Sequence, residues 1–447
     1  MMPQILTVLH NIQRILAEPR MIQPIFTAVL GTLAAFLFVV SLASFFALLR
    51  GSFYLRRFAR AQVRDDRAML LKSPLVPAVS LIATVPDATQ DSREFVRRLL
   101  DVHYGKHELV LVLDGLNEAD LEVWKNEFRL VVCRRPADEL LPSAAIRCIY
   151  EPRDPLRLIV VDKERGGGDD ARNCAVNVAD SPLIGIVERD AAFQPDAFLQ
   201  LVRCMLEDPD RIVAVCGTAP APHGDNLAAR FGALESYRQW LGRCGSLVER
   251  NMLGAVPGCA MLVRRDILIS AGGFQAGNLD MVLRLHAAAK ATGKPYRIAL
   301  APEPISYVRP PSTVSELRAT TLADQGEIIG ALRSQKFRTP GLPSLFTVRV
   351  LRPLAETLTY ALVIVGLAIQ WIKLDLALLV VLATIGMGVL LSMAAVVFRE
   401  QARVEGAEPR KLRALFLAAF PENLGYRQRR NFWLIAGLRK PRHPAAA

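Results

Sequence analysis

The chain has 447 residues, of which 52% are hydrophobic and 22% charged, with a mean hydropathy of +0.25. This excludes a disordered or low-complexity polymer and points to one large α/β domain accompanied by membrane spans. The net charge of +12 sits in two blocks, seven basic against two acidic residues over 50–72 and eleven against four over 399–447. Both adjoin long apolar runs, a placement that suits anionic lipid headgroups and argues against nucleic acid as a partner.

In chain order, Ile5, Leu9, Ile12 and Leu16 recur at helical spacing ahead of Pro19, so residues 1–20 read as a short interfacial helix. Residues 21–49 carry no charge for long enough to cross a hydrocarbon core and form a first expected span. They lack the basic start and short apolar stretch of a cleaved signal peptide, so this span is expected to be retained. Residues 351–372 and 376–398 form two more expected spans, joined by only three residues as a tight hairpin. Arginines gather after the first span (50, 56, 57, 60, 64, 67) and after the third (399, 403, 410, 413), with Lys411 among the latter. Basic loops stay cytoplasmic, so the domain at 73–340 and the basic juxtamembrane tail at 399–447 are expected in the cytosol.

Within 73–340, short apolar runs alternate with amphipathic stretches, the pattern of a mostly parallel sheet with helices on both faces. Strands are expected at Val79–Ile82, Leu109–Leu113, Leu158–Val161 and Leu183–Val187, and helices at Ser92–Val102, Asp170–Ala179, Pro195–Leu206 and Asp225–Leu241. Ligands of open α/β sheets bind at the carboxyl ends of strands. The residues there are acidic: Asp114, Asp162, then Glu188 and Asp190. Asp114-Gly115 is also ordinary turn chemistry. Glu188-Arg189-Asp190 places two carboxylates one residue apart, a spacing that lets them share a hard cation such as Mg²⁺ or Mn²⁺, though a solvated strand end reads the same way. Gly166-Gly167-Gly168 is followed by two aspartates and not by Lys-Ser/Thr, so it is a turn before a helix and no P-loop. The seven cysteines contain no CxxC pair and read as buried thiols of a reducing compartment.

Taken together these residues resemble the inverting family 2 glycosyltransferases, membrane-anchored enzymes of the GT-A, Rossmann-like fold and the polysaccharide synthase type. Tyr104 to Asp114-Gly115 is similar to the family's "YP..E.ivV.DGS", Val161 to Asn173 to "vvDKeNGGKADALN", and Glu188 to Ala197 to the metal-binding "DADs.l.pDA". Gly272-Gly273-Phe274, Arg284-Leu285-His286, Pro302-Glu303-Pro304 and Glu422 to Gln428 follow in the family's order. The resemblance implies a nucleotide-sugar or UDP ligand, with Asp114 and Gly115 near the nucleobase and ribose. Asp162, Lys163 and Asn173 would line the donor pocket, and Glu188 with Asp190 would hold Mg²⁺ or Mn²⁺ on the diphosphate. It further implies a multi-pass protein of the bacterial inner membrane, its domain cytoplasmic, engaged in polysaccharide or glycolipid assembly.

The sequence departs from that pattern in four places. The "PAYNE" loop reads Thr84-Val85-Pro86-Asp87-Ala88, Gly168 replaces the lysine of "GGKAD", Gly277-Asn278 falls on the Glu-Asp base, and the "QRxRW" arginines are missing from Arg318 to Gly326. An amide cannot accept the acceptor's proton, so Asn278 is a doubtful base and Asp280 is the nearby carboxylate able to replace it. Two expectations stand beside each other: a donor-binding protein with weak or absent transfer, auxiliary to an active synthase, or an active inverting transferase with Asp280 as base. A bare membrane scaffold would leave the acidic strand ends unexplained. Three spans are few to enclose a polymer channel, so an active polysaccharide synthase or further copies of the chain are the expected partners.

Overall fold

The computed structural model describes residues 19–61, 76–189, 191–219, 224, 226–248, 250–252, 260–275, 277–335, 341–401 and 409–438. The expected interfacial helix at 1–20 lies almost wholly outside them. The first helix, α1 (Pro19–Ala61), contains the 35-residue apolar stretch Ile22–Arg56 and is followed by the domain.

The domain is built in the order β1 (Val79–Val85), α2 (Gln90–Leu100), β2 (His107–Asp114), α3 (Glu118–Phe128), β3 (Leu130–Val132), β4 (Ile146–Pro152), β5 (Leu158–Lys163), α4 (Gly168–Val178), β6 (Leu183–Val187), β7 (Ala191–Phe193), α5 (Ala197–Leu206) and β8 (Ile212–Thr218). It continues with α6 (Leu227–Gln239), which runs into a π-helical turn at Trp240–Gly245. Then come β9 (Ala260–Arg264), α7 (Arg265–Ser270), α8 (Gly277–Ala291), β10 (Arg297–Pro304), β11 (Ser306–Val308) and α9 (Val314–Gln335). Nine strands form one sheet in the order β10-β8-β9-β6-β1-β2-β5-β4-β3, and β7 pairs with β11 in a separate ribbon. Four neighbours at the centre, β6, β1, β2 and β5, are mutually parallel. Their residues are buried on both faces, which is why the sequence shows continuous apolar runs there instead of alternation. β9 runs antiparallel between β6 and β8. Helices cover both sheet faces and bury two apolar clusters, one around Val110, Val161 and Ile184 and the other around Leu81, Leu111 and Phe198.

Beyond the domain, the helical stretch Leu342–Ala368 includes α10 (Arg352–Ala368), and α11 (Leu374–Gln401) follows. With Ile22–Arg56 they make three helices long and apolar enough to cross a membrane. Their outward apolar side chains, such as Val39, Ile364, Leu379 and Leu382, remain exposed, as lipid-facing residues do. Leu30 packs with Val363, Ile372 and Val380, so the three helices adhere to one another. The second span begins near 342 and ends at 368, where 351–372 is expected. The helix stops because Gln370 adopts a left-handed φ of 58° while Trp371 N donates back to Gly366 O at 2.9 Å.

The stretch after the third span is more than a basic tail. It folds into α12 (Pro409–Pro421), a π turn at Glu422–Tyr426 and α13 (Arg427–Gly437). Glu422 is 1% exposed, accepts from Ser392 Oγ at 2.7 Å and pairs with Arg238 of α6. Arg427 pairs with Glu356 of α10 at 2.7 Å, and Tyr426 stacks on Phe231 with ring centroids 4.7 Å apart. These contacts bind the domain, the spans and the C-terminal helices together.

Candidate active site

The carboxyl ends of β1, β2, β5 and β6 lie side by side, which gathers the expected site residues at one edge of the sheet. The arrangement begins with Asp114, the last residue of β2, whose Cα pairs in register with Lys163, the last residue of β5. Lys163 is fully buried, and its Nζ lies 2.8 Å from Asp114 Oδ1 and 2.5 Å from Asp170 Oδ1 on α4. Asp114 also accepts from Gly166 N at 2.9 Å and Gly167 N at 2.8 Å. Burial alone would raise the Asp114 pKa. The bonds from Lys163 and the two glycine amides outweigh it and hold the carboxyl below the ordinary range.

The glycine run is therefore an ordered loop cradling a carboxylate, with Gly167 at φ 93° capping α4. Gly115 has φ 69°, and a Cβ there would lie 2.5 Å from Arg165 Cβ, so the turn admits only glycine. Asp114 and Lys163 thus build the floor of the site, the Lys163 ammonium being spent on Asp114, Asp170 and the Glu164 carbonyl. Replacing Lys163 with methionine should leave two carboxylates facing each other and cost about 3 kcal/mol. A marked fall in melting temperature by circular dichroism is the measure.

Successive strand side chains alternate between faces, so Asp162 stands opposite to Lys163. It is 4% exposed and pairs with Arg147 of β4 at 2.6 Å. Desolvation raises its pKa even so. Asn173 is buried on α4, where its Oδ1 accepts from Phe274 N at 2.8 Å and its Nδ2 donates to Phe274 O at 3.0 Å. It fastens the Gly272-Gly273-Phe274 loop to α4. The structure brings Asn173 to the site as a buried brace, and it places Asp162 on the far side of the strand.

The open part of the site surrounds Glu188, immediately after β6. The side-chain amide of Asn278, near the start of α8, donates to Glu188 Oε1 across 90 residues of sequence. Gly277 N donates to Asp169 Oδ2 at 3.2 Å, and Arg172 approaches Asp169 Oδ1 at 3.4 Å. Arg189 reaches Asp87 at 3.3 Å, and Asp87 takes the hydroxyl of Thr89 at 2.9 Å at the start of α2. Asp190 lies outside the described residues. Asp280 is 4% exposed, and its Oδ2 accepts from Arg284 Nε at 2.7 Å. A base has to meet an incoming hydroxyl, so this burial and pairing tell against Asp280 in that role.

Sequence reasoning passed over Asp169, Asp170, Arg172 and Glu327. The first three flank the glycine run and were legible as its charged neighbours. Glu327 sits one residue past the Arg318 to Gly326 stretch and carries no local signal.

A divalent cation fits these groups only in part by itself. Among the described residues no set of three or more His, Cys, Asp or Glu side chains converges to hold an ion. Mg²⁺ and Mn²⁺ on a diphosphate need only one or two protein carboxylates, the phosphates supplying the rest. Glu188 offers one such carboxylate. Around the neighbouring Glu327 carboxyl, the charges of Asp324, Glu188 and Asp169 outnumber that of Arg172. So acidic a pocket would repel a bare diphosphate, which makes an intervening cation the chemically consistent choice.

The mixed α/β domain, with a central largely parallel sheet and acidic groups at its strand ends, has the GT-A class of fold, and three apolar helices adjoin it. Residues 91–269 match the family model described as Glycosyl transferase family 2, so the chain carries a family 2 glycosyltransferase domain. Among solved structures, the mannosyltransferase PcManGT from Pyrobaculum calidifontis, in complex with GDP-Man and Mn²⁺, is 16% identical. The match covers 88% of this chain and 99% of that one with a TM-score of 0.51, a likeness of fold. S. aureus TarS 1-349 matches at 12% identity over 78% of this chain and 91% of its own, with a TM-score of 0.37. Glucosyl-3-phosphoglycerate synthase from Mycobacterium tuberculosis, in complex with phosphoglyceric acid, is 12% identical over 59% of this chain and 83% of its own, with a TM-score of 0.35. No curated protein matches the sequence.

Proposed function

We propose that this chain binds a nucleotide-sugar, together with Mg²⁺ or Mn²⁺, in the cleft around Glu188 and serves polysaccharide or glycolipid assembly from the cytoplasmic face of a bacterial inner membrane. The observation that carries the reading is Glu188 at the end of a central parallel strand, bonded to the start of α8 within a family 2 domain. Glu188 and Asp190 would hold the ion, whose chemistry is to offset charge on the departing diphosphate. Arg172 and Arg189 border the same cleft, each steadied by an aspartate.

The acceptor side supports two variants of the reading. Asn278 carries an amide where the resemblance puts the base, and Asp280 is enclosed with Arg284. Both observations favour a chain that holds the donor and transfers weakly, as a partner of an active synthase or of further copies of itself. A carboxylate supplied from elsewhere would instead make it a transferase in its own right.

Calorimetry on the full chain in lipid nanodiscs tests donor binding. UDP or GDP should bind measurably with Mn²⁺ and at least tenfold more weakly without it. Asp190→Ala should remove that metal dependence, and an unchanged affinity in this variant would show the metal assignment to be wrong.

A further inference from the structure

The start of α8 lacks a carboxylate of its own on the cleft side, yet a carboxylate reaches it from another element. Glu327 lies on α9, and a Cβ added at Gly277 would sit 3.3 Å from Glu327 Oε1. Gly277 has a φ of 86°. Any side chain at 277 would be strained and would crowd the Glu327 carboxyl, so the glycine that removes one acid makes room for another. Among the described residues no group donates a hydrogen bond to Glu327, and its side chain keeps contact with solvent. Asn278 beside it is committed to Glu188, and Asp280 is closed in with Arg284.

We propose that Glu327 is the general base of this chain. The acceptor hydroxyl oxygen forms its bond to the anomeric carbon of the donor and passes its proton to a Glu327 carboxylate oxygen. The bond from that carbon to the diphosphate breaks, and its electron pair leaves with the nucleoside diphosphate. The assignment rests on the reading above, that the cleft holds a nucleotide-sugar.

The surroundings suit the task. Glu327 faces Asp324 on its own helix, Glu188 after β6, and Asp169 with Arg172 on α4. Partial burial of the carboxyl, then the charges of Asp324 and Glu188, lift its pKa to about 7, with Arg172 opposing them. A base whose pKa lies near the working pH combines availability with proton affinity.

The test uses the full chain in nanodiscs with Mn²⁺ and a panel of UDP- and GDP-sugars. Binding is read by calorimetry, and release of nucleoside diphosphate is followed with water as acceptor, so the natural acceptor need not be known. Glu327→Gln should lower kcat about 10²- to 10⁴-fold while leaving donor affinity within about twofold, which also shows that the variant is folded. Equal rates in parent and Glu327→Gln overturn the proposal. Donors that bind without any release overturn it as well and leave the auxiliary reading in place. Failure of every nucleotide to bind removes the site itself, and the base with it.

Discussion

Gly51→Val is expected to separate the first membrane helix from the domain and to lower stability by about 3 kcal/mol, the upper part of the usual range for overpacking. A Cβ at Gly51 would fall on the carbonyl of Leu241, in the π turn after α6. On the other side of the crossing, a Cβ at Gly245 would lie 3.0 Å from Gly51 Cα. Two glycines thus let two helical backbones touch, and neither backbone can yield as a flexible side chain would. The arrangement also positions Leu48 and Leu55, each 2% exposed, in the larger apolar cluster of the domain. Thermal melting in detergent micelles should show a lowered midpoint for Gly51→Val and a smaller shift for Gly51→Ala. A valine variant that melts with the parent would mean that the helices do not cross so closely.

Glu235→Leu should destabilise the protein by about 3 to 5 kcal/mol, the penalty for leaving buried charge without its partner. Glu235 on α6 sits 2.9 Å from Arg430 of α13 and 3.6 Å from Arg349 ahead of α10. Arg349 is 3% exposed, so water cannot replace the lost carboxylate, and the half-exposed Asp324 at 3.3 Å balances it only in part. Burial alone would raise the Glu235 pKa, and the attraction of Arg430, Arg349 and Arg238 overrides it, leaving the carboxyl at about 2. This folded value lies below the ordinary 4.5. Its contribution is therefore complete above about 4.5 and is lost as pH falls from there towards about 2. Melting curves at pH 7 and pH 3 should differ more for the parent than for Glu235→Leu. Equal pH dependence in the two would place the acid sensitivity elsewhere. Arg430→Met added to Glu235→Leu should recover part of the loss by removing one of the stranded cations.

The central strands were legible because burial on both faces writes an unbroken apolar run. Leu183–Val187 is expected and observed with identical bounds, and the helices expected at Ser92–Val102 and Asp170–Ala179 start and stop within two residues. β9 escaped notice, since its antiparallel insertion between β6 and β8 depends on partners distant in sequence. At the site, residue types at strand ends pointed to one edge of the sheet, where the structure gathers Asp114, Lys163 and Glu188. They did not reveal which carboxylates are spent on structure. Asp114 and Asp170 share the buried ammonium of Lys163, a contact set by strand register and helix position. Glu327 was illegible for the opposite reason: a single acid on a helix looks like ordinary solvated surface until the fold sets it beside Gly277.

The continuous helix α1 passes straight from apolar span to domain contact without an intervening loop. At 1.5 Å per residue its 43 residues extend about 64 Å, roughly twice the thickness of a hydrocarbon core. The domain is clamped to the spans at Gly51 and again through Glu422 and Arg427. In a bilayer its cleft would be held like a fixed tool above a moving sheet. On the function proposed above, an acceptor carried in the lipid would then find it by lateral diffusion in two dimensions, at a set height and facing a set way. Only the soluble donor would have to search in three.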